Sequence, residues 1–146
     1  MNKEGNWSEC IEEGSSLKVT PNKSKVNSLM DTALGRISFL NENIIKESNA
    51  NYIFESYYSS VLEILHALLL LHGYKVSNHL CLGYYLRDVL SKAEIFRIFD
   101  DCRFKRNSLV YYGRKMEFDV AKEAINNCKQ LINQLSTLLN KELQLG

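Results

Sequence analysis

Hydrophobic residues along most of this chain recur every three or four positions, the spacing of one face of an α-helix. Four long segments show this pattern, at residues 21–44, 51–72, 93–112 and 119–139, and a shorter segment shows it at residues 79–90. No segment alternates with the period of two that is typical of a strand. The pattern therefore predicts an all-α fold, a bundle of four long helices plus a short helix, mostly antiparallel because the connections are short.

Residues that favour helix ends mark the predicted boundaries. Thr20 and Pro21 form a start signal, a capping hydroxyl followed by proline at the first helical position. Residues 91–94, Ser-Lys-Ala-Glu, have the spacing of a capping box. Gly73 and Gly113 are the expected stops, because glycine accepts the left-handed conformation that ends many helices.

Two regions differ in character. Residues 1–19 are polar and mixed, and we predict an N-terminal arm that is weakly ordered or docked on the rest. Residues 20–146 form the predicted helical domain. Within it, the C-terminal half of the segment 51–72 is apolar on almost every side, so that helix is predicted to be central or covered by a partner chain.

The chain has 146 residues, a length that favours one domain with its own core. Its formal net charge is only +1, so any contact with nucleic acid must come from a local basic patch. The longest apolar run, Ala67–Leu71, is too short to span a bilayer, and residues 1–10 lack an apolar export segment. We therefore predict a cytoplasmic protein with no membrane partner.

The cysteines do not have the spacing of a metal site. They form no CxxC pair, and no histidine lies at ligand spacing from any of them. We therefore predict no metal, and free, buried thiols in a reducing cytosol at Cys10, Cys81, Cys102 and Cys128. The sequence also lacks glycine-rich phosphate loops and nucleophile motifs, so no cofactor is predicted.

The three histidines are predicted to have structural roles. His66 lies on a largely apolar helix and is expected in the core or in a groove. His72 precedes Gly73, where the carbonyl end of a helix favours a cation and predicts a cap residue. His79 lies near a helix start, where packing or hydrogen bonding is predicted.

The stretch 103–113, RFKRNSLVYYG, is the least ordinary part of the chain. Residues four or five apart in a helix lie on nearby faces, so Arg106 and Tyr111 can approach one surface, with Asn107 and Tyr112 beside them. A basic helix flanked by aromatic side chains can bind phosphates and stack a base. The alternative is a helix whose tyrosines fill the core and whose arginines are solvated.

Three features of the sequence resemble a HEPN domain, a small helical family of nucleotide-binding proteins. The segment 57–68, YYSSVLEILHAL, is similar to the aromatic-rich second helix of that family, and Gly73 followed by residues 77–79 is similar to the turn before its third helix. Arg106 and Asn107, followed by Tyr111 and Tyr112, fall where the family places Arg, a polar residue, a short spacer and His. The resemblance covers roughly residues 22–142.

The resemblance implies a homodimer in which the two signatures face a shared cleft. Many members are metal-independent ribonucleases, and many are toxins paired with a minimal nucleotidyltransferase. In their chemistry the arginine stabilises the charge of the scissile phosphate and the histidine moves or orients a proton. Here the histidine position is Tyr111 or Tyr112, and a tyrosine of ordinary pKa is a poor base at neutral pH.

Three functions follow from the resemblance as hypotheses. In the first, the protein binds RNA or a nucleotide through Arg106 and Asn107, as one component of a toxin–antitoxin-type module with a minimal nucleotidyltransferase. In the second, it is an active metal-independent endoribonuclease that uses Arg106 with a tyrosine in place of the histidine. In the third, it is a non-catalytic helical partner that docks the nucleotidyltransferase through its apolar second helix.

Overall fold

A computed structural model describes residues 5–145 of the chain, and four long α-helices hold most of them. The elements in chain order are α1 (Trp7–Glu12), β1 (Ser16–Lys18), α2 (Lys23–Asn41), α3 (Ala50–Leu71), β2 (Tyr74–Val76), α4 (His79–Tyr84), α5 (Ala93–Tyr112) and α6 (Phe118–Leu145). Helix α4 continues into a π-helical turn at Tyr85–Val89. The prediction of a mainly helical protein is therefore confirmed.

Helix α3 lies at the centre, between α2 and α6. It is also the one described helix that is long and apolar enough to cross a membrane, but 61% of the apolar window is buried inside the protein. Burying a large aliphatic side chain stabilises a fold by about 1.5–3 kcal/mol, so the apolar character of α3 is accounted for by the core.

Helices α2 and α3 run antiparallel. Near the middle of both helices, Arg36 Nε and Glu63 Oε1 are 2.9 Å apart. At the end of α2, Asn41 accepts a 2.6 Å hydrogen bond from the Tyr57 hydroxyl, early in α3. The contact positions therefore move in opposite directions along the two helices.

Helix α6 runs parallel to α3. The Lys129 ammonium lies 5.4 Å from the centre of the Tyr57 ring, and near the other end of both helices His72 bonds Glu142. Helix α5 precedes α6 and packs against it, joined by a connection of five residues, 113–117. A short connection of this kind favours antiparallel neighbours.

Two short strands contradict the prediction that the chain has none. Strands β1 and β2 pair antiparallel, with Ser16 opposite Val76 and Lys18 opposite Tyr74. Three residues are too few to show a period-two pattern, so the sequence carries no recognisable signal for either strand. The pairing docks the described part of the N-terminal arm, residues 5–19, on the helical domain; residues 1–4 lie outside the described range.

A disulfide between Cys10 and Cys81 joins α1 to α4. The prediction of free thiols is therefore wrong for these two cysteines, which are separated by 71 positions and carry no local signal of pairing. Cys102 and Cys128 are free and buried, as predicted. A hydrogen bond with Cys102, together with burial, raises the pKa of the Cys128 thiol and keeps it protonated.

Two predicted helix starts are wrong. Helix α2 begins after Asn22, whose side chain accepts a hydrogen bond from the Lys25 amide at 3.1 Å, so Thr20 is not the cap. Helix α5 begins after Lys92 without a side-chain cap, and Ser91 has φ 56°, which rules out the capping box. Both predicted stops are confirmed, because the two glycines that follow α3 and α5 have positive φ.

Candidate functional site

A polar cavity of about 450 Å³ opens between the start of α4 and the second half of α5. We call it the α4–α5 cavity. Among the described residues that line it there is no carboxylate, and the two permanent charges are both arginines, so the lining is net positive. The lining residues are Ser15, Ser77, Asn78, His79, Leu80, Arg103, Arg106, Asn107 and Tyr111.

Local helix geometry places these side chains on one wall. On α5, Arg103, Asn107 and Tyr111 are four residues apart, and Arg106 is three residues from Arg103, so all four lie on neighbouring faces. On the opposite wall, Asn78 caps α4 by accepting a 2.8 Å hydrogen bond from the Leu80 amide. His79, which lies between Asn78 and Leu80, is therefore the first residue of α4 and stands at the cavity.

Arg106 is held by neutral partners. Its Nη1 donates to Asn107 Oδ1 at 3.3 Å and to the Tyr111 hydroxyl at 3.5 Å. The guanidinium carbon also lies 5.9 Å from the centre of the Tyr58 ring and 5.7 Å from that of Tyr111. These contacts orient the side chain while leaving its positive charge available to a ligand.

The two cavity arginines differ in their partners. Arg103 Nη2 lies 2.9 Å from Asp100 Oδ1, one turn back on the same helix. Within residues 5–145, no carboxylate forms an ion pair with Arg106. Arg106 is therefore the cavity cation that an anionic ligand would neutralise first.

His79 also lines this cavity, whereas the sequence predicted only packing or hydrogen bonding for it. Burial lowers its pKa, and the charges of Arg106, His66 and Arg103 lower it further, so its imidazole is neutral at neutral pH. A neutral imidazole both donates and accepts a hydrogen bond. Only the fold brings His79 to α5, and the sole local signal is its place directly after the Asn78 cap.

A buried tyrosine lies next to the cavity. The Tyr58 ring is 6.3 Å from the ring of His79 and 6.0 Å from that of Phe99, on which it stacks. Burial raises the pKa of the Tyr58 hydroxyl, and that hydroxyl has no hydrogen-bond partner among the described residues. Tyr58 therefore supplies a neutral aromatic support for Arg106 and His79.

The four residues predicted as the site do not all meet. Arg106, Asn107 and Tyr111 share the α4–α5 cavity. Tyr112 does not line it; its side chain is 73% exposed, and its ring lies 5.6 Å from the guanidinium carbon of Arg114. The two adjacent tyrosines therefore have different surroundings, and only Tyr111 can touch a ligand held by Arg106 in the cavity.

His72 ends α3, as predicted, and also links two other elements. Its Nδ1 bonds the hydroxyl of Tyr85 and its Nε2 bonds the carboxylate of Glu142. Burial raises the pKa of Tyr85 to about 12. This hydrogen-bonded chain ties α3 to α6 and lies outside the α4–α5 cavity. In the described part of the chain, no cluster of His, Cys, Asp and Glu is suited to a metal ion.

No known protein family, no curated protein and no solved structure matches this chain. The chemistry of the α4–α5 cavity is therefore the basis for a functional assignment. That chemistry combines an unpaired guanidinium, an amide, a neutral imidazole and an exposed phenol around one polar opening. Such a set favours an anionic ligand that also carries hydrogen-bonding groups.

Proposed function

We propose that the protein binds RNA or a nucleotide in the α4–α5 cavity, with Arg106 as the principal phosphate contact. The observation that supports this is the absence of a carboxylate partner for Arg106 among the described residues, at a cavity of about 450 Å³. Small-ligand pockets are typically about 300–1,000 Å³. A guanidinium offers planar, paired donors that match two phosphate oxygens.

The aromatic side chains beside Arg106 support a ligand that carries bases. Tyr111 is 67% exposed while its hydroxyl stays within reach of Arg106, so its ring face is open to a planar group. Stacking of a base on an aromatic side chain contributes about 1–3 kcal/mol. The guanidinium carbon of Arg106 lies 5.7 Å from the centre of the Tyr111 ring, so one ligand can place a phosphate at Arg106 and a base on Tyr111.

The same proposal includes assembly and cellular context. The resemblance to HEPN domains supports a homodimer that is partnered by a minimal nucleotidyltransferase, as in a toxin–antitoxin-type module. Phe104 and Val110 on α5 are 66% and 42% exposed and offer apolar contact to a second copy close to the cavity. Light scattering tests the dimer, and co-purification with a small nucleotidyltransferase tests the partner.

The test of ligand binding is a titration of the protein with labelled single-stranded RNA and with nucleotides at low salt. Hydrogen bonds to charged groups contribute about 1.5–3 kcal/mol, so Arg106→Ala should weaken binding by roughly tenfold or more. Arg97→Ala is the matched control, because Arg97 is an exposed arginine of the same helix that does not line the cavity. The proposal fails if wild type shows no saturable binding, or if both variants bind alike.

A second candidate function, endoribonuclease activity, is favoured by His79. Its neutral imidazole can take the proton of a ribose 2′-hydroxyl, while Arg106 stabilises the charge on the phosphate. The 2′ oxygen then bonds phosphorus, the bond from phosphorus to the 5′ oxygen breaks, and the leaving oxygen takes a proton from water. The products are a 2′,3′-cyclic phosphate and a 5′-hydroxyl. Here His79 provides the base that Tyr111 cannot.

Incubation of RNA with the protein and a chelator separates binding from cleavage. If the enzyme hypothesis holds, wild type releases cyclic-phosphate ends, His79→Ala loses this activity by about a hundredfold or more, and RNA affinity changes little. Arg97→Ala is the control, since Arg97 neither lines the cavity nor contributes to the lowered pKa of His79. An inert wild type, or an Arg106→Ala variant that cleaves as well as wild type, would remove this candidate and leave the binding function standing.

A further inference from the structure

A second cavity, of about 400 Å³, lies between the start of α2, the second half of α3 and strand β2. We call it the α2–α3 cavity. Its walls are mainly aliphatic, formed by Val19, Leu29, Leu70 and Val76. Its volume falls in the range of small-molecule sites, and its lining fits an apolar body that leaves little room for a hydrated ligand.

The mouth of the α2–α3 cavity is positively charged. Lys25 and Lys75 both line it and are both exposed, and no carboxylate is among its described lining residues. Helix α2 begins here and carries no acidic residue in its first turn, so the partial positive charge of its N-terminus adds to that of the lysines. An anionic head group at this mouth would be held at the surface, where desolvation costs little.

Two half-buried side chains with polar groups, His66 and Tyr74, line the cavity. His66, from α3, lines the cavity between the aliphatic walls, and within residues 5–145 its ring has no hydrogen-bond partner. Burial lowers its pKa, so the ring is neutral and offers one donor and one acceptor. Because the ring is half-buried and faces the cavity, a ligand hydroxyl can replace water as its hydrogen-bond partner.

We propose that the α2–α3 cavity binds a small apolar carboxylate that carries one hydroxyl group, with the carboxylate at Lys25 and Lys75 and the hydroxyl at His66. The apolar walls hold the body of the ligand between these two polar ends. This site shares no lining residue with the α4–α5 cavity, so it stands independently of the proposed RNA or nucleotide binding.

Calorimetric titration with three probes tests each part of the assignment. The probes are 3-(4-hydroxyphenyl)propanoate, the corresponding amide, and 3-phenylpropanoate, which lacks the hydroxyl. The hydroxylated acid should bind best, with the amide and the des-hydroxy acid each weaker by about three- to tenfold. Chemical shifts should move more at His66 than at His79. The proposal is overturned if no probe binds saturably, or if the shifts lie outside the cavity.

Variants separate the two polar ends of the ligand. Lys25→Ser with Lys75→Ser should abolish the preference for the acid over the amide, while Lys46→Ser with Lys122→Ser, which removes the same charge from remote positions, should preserve it. His66→Ala should make the two acids bind equally. Lysine variants that keep the acid preference, or a His66→Ala variant that keeps the hydroxyl preference, would contradict the assignment. Arg106→Ala should change none of these affinities.

Discussion

The two cavities are built from adjacent parts of one segment but differ in where their charge lies. Residues 74–76 line the α2–α3 cavity, and residues 77–80 line the α4–α5 cavity. In the first, cations stand only at the mouth of an aliphatic space; in the second, arginines form part of a polar wall. Each holds a histidine with a lowered pKa, but only that of His79 is lowered by arginine charge as well as by burial.

This difference teaches that the placement of a cation decides the ligand class more than the sign of the charge does. A lysine at an aliphatic mouth selects a ligand with an apolar body and one anionic end. An arginine wall held by amide and phenol groups selects a ligand that is polar throughout. A formal net charge of +1 conceals both arrangements, because it averages over the whole chain.

The largest expected effect comes from removing the disulfide that anchors the shared segment. Cys10→Ser with Cys81→Ser should lower the free energy of unfolding by about 4 kcal/mol, since the bridge closes a loop of about 70 residues. Because residues 74–80 lie just before Cys81, both cavities should lose ligand affinity together. Urea unfolding measures the first effect, and probe titrations measure the second.

Reductant provides the matched control for this variant. It should destabilise wild type toward the level of the double serine variant and leave that variant unchanged, since Cys102 and Cys128 form no bridge. If reductant does not destabilise wild type, the Cys10–Cys81 disulfide is not what holds residues 74–80 in place. If only one cavity loses affinity, the segment does not couple the two.

A substitution at Gly83 should have a smaller effect and should impair ligand binding at only one of the two cavities. A Cβ at Gly83 would lie 2.9 Å from a ring carbon of Phe96 and 3.1 Å from one of Phe99, both buried in α5. Gly83→Ala should therefore cost about 1–3 kcal/mol of stability by overpacking α4 against α5. It should weaken RNA binding at the α4–α5 cavity and leave carboxylate binding at the α2–α3 cavity near its wild-type value.

Gly35→Ala is the control for Gly83→Ala. Gly35 lies in α2 with open space around its added Cβ, so alanine should stabilise the helix by about 0.5–1 kcal/mol. Thermal unfolding of both variants gives the contrast directly. If Gly83→Ala and Gly35→Ala were equally stable, α4 and α5 could move apart without a cost in free energy. The α4–α5 cavity would then have no fixed width.

The parts of the fold that the sequence predicts are those set by local chemistry. The apolar residues of α3 and the glycines after α3 and α5 act within one or two turns, and the structure places them as expected. Arg106, Asn107 and Tyr111 come together because helical spacing alone brings them to one side.

The parts that the sequence does not predict depend on packing between distant segments. The Cys10–Cys81 bridge, the pairing of β1 with β2, and the position of His79 beside α5 each join residues that are far apart in the chain. No short sequence pattern marks any of these three contacts, because each depends on how the whole chain folds. Tyr112 was predicted as a site residue from its place next to Tyr111, but only Tyr111 lines the cavity.

The smallest expected effect sharpens the comparison of the two histidines. Salt screens the arginine charges beside His79, so the pKa of His79 should rise toward its ordinary value as salt is added. The pKa of His66 is lowered by burial alone and should change less with salt. Proton NMR titrations at low and high salt measure both, with the signals assigned from His66→Gln and His79→Gln.

The same lowered pKa values determine how stability depends on pH. The unfolded chain takes up protons at both histidines near pH 6.5, whereas the folded chain resists protonation until the pH is lower. The free energy of unfolding should therefore fall as pH decreases below about 6.5, and each glutamine variant should reduce this fall. If both variants leave the fall in stability unchanged, other groups are responsible for the acid sensitivity. If salt changes the pKa values of the two histidines equally, arginine charge does not distinguish the two cavities.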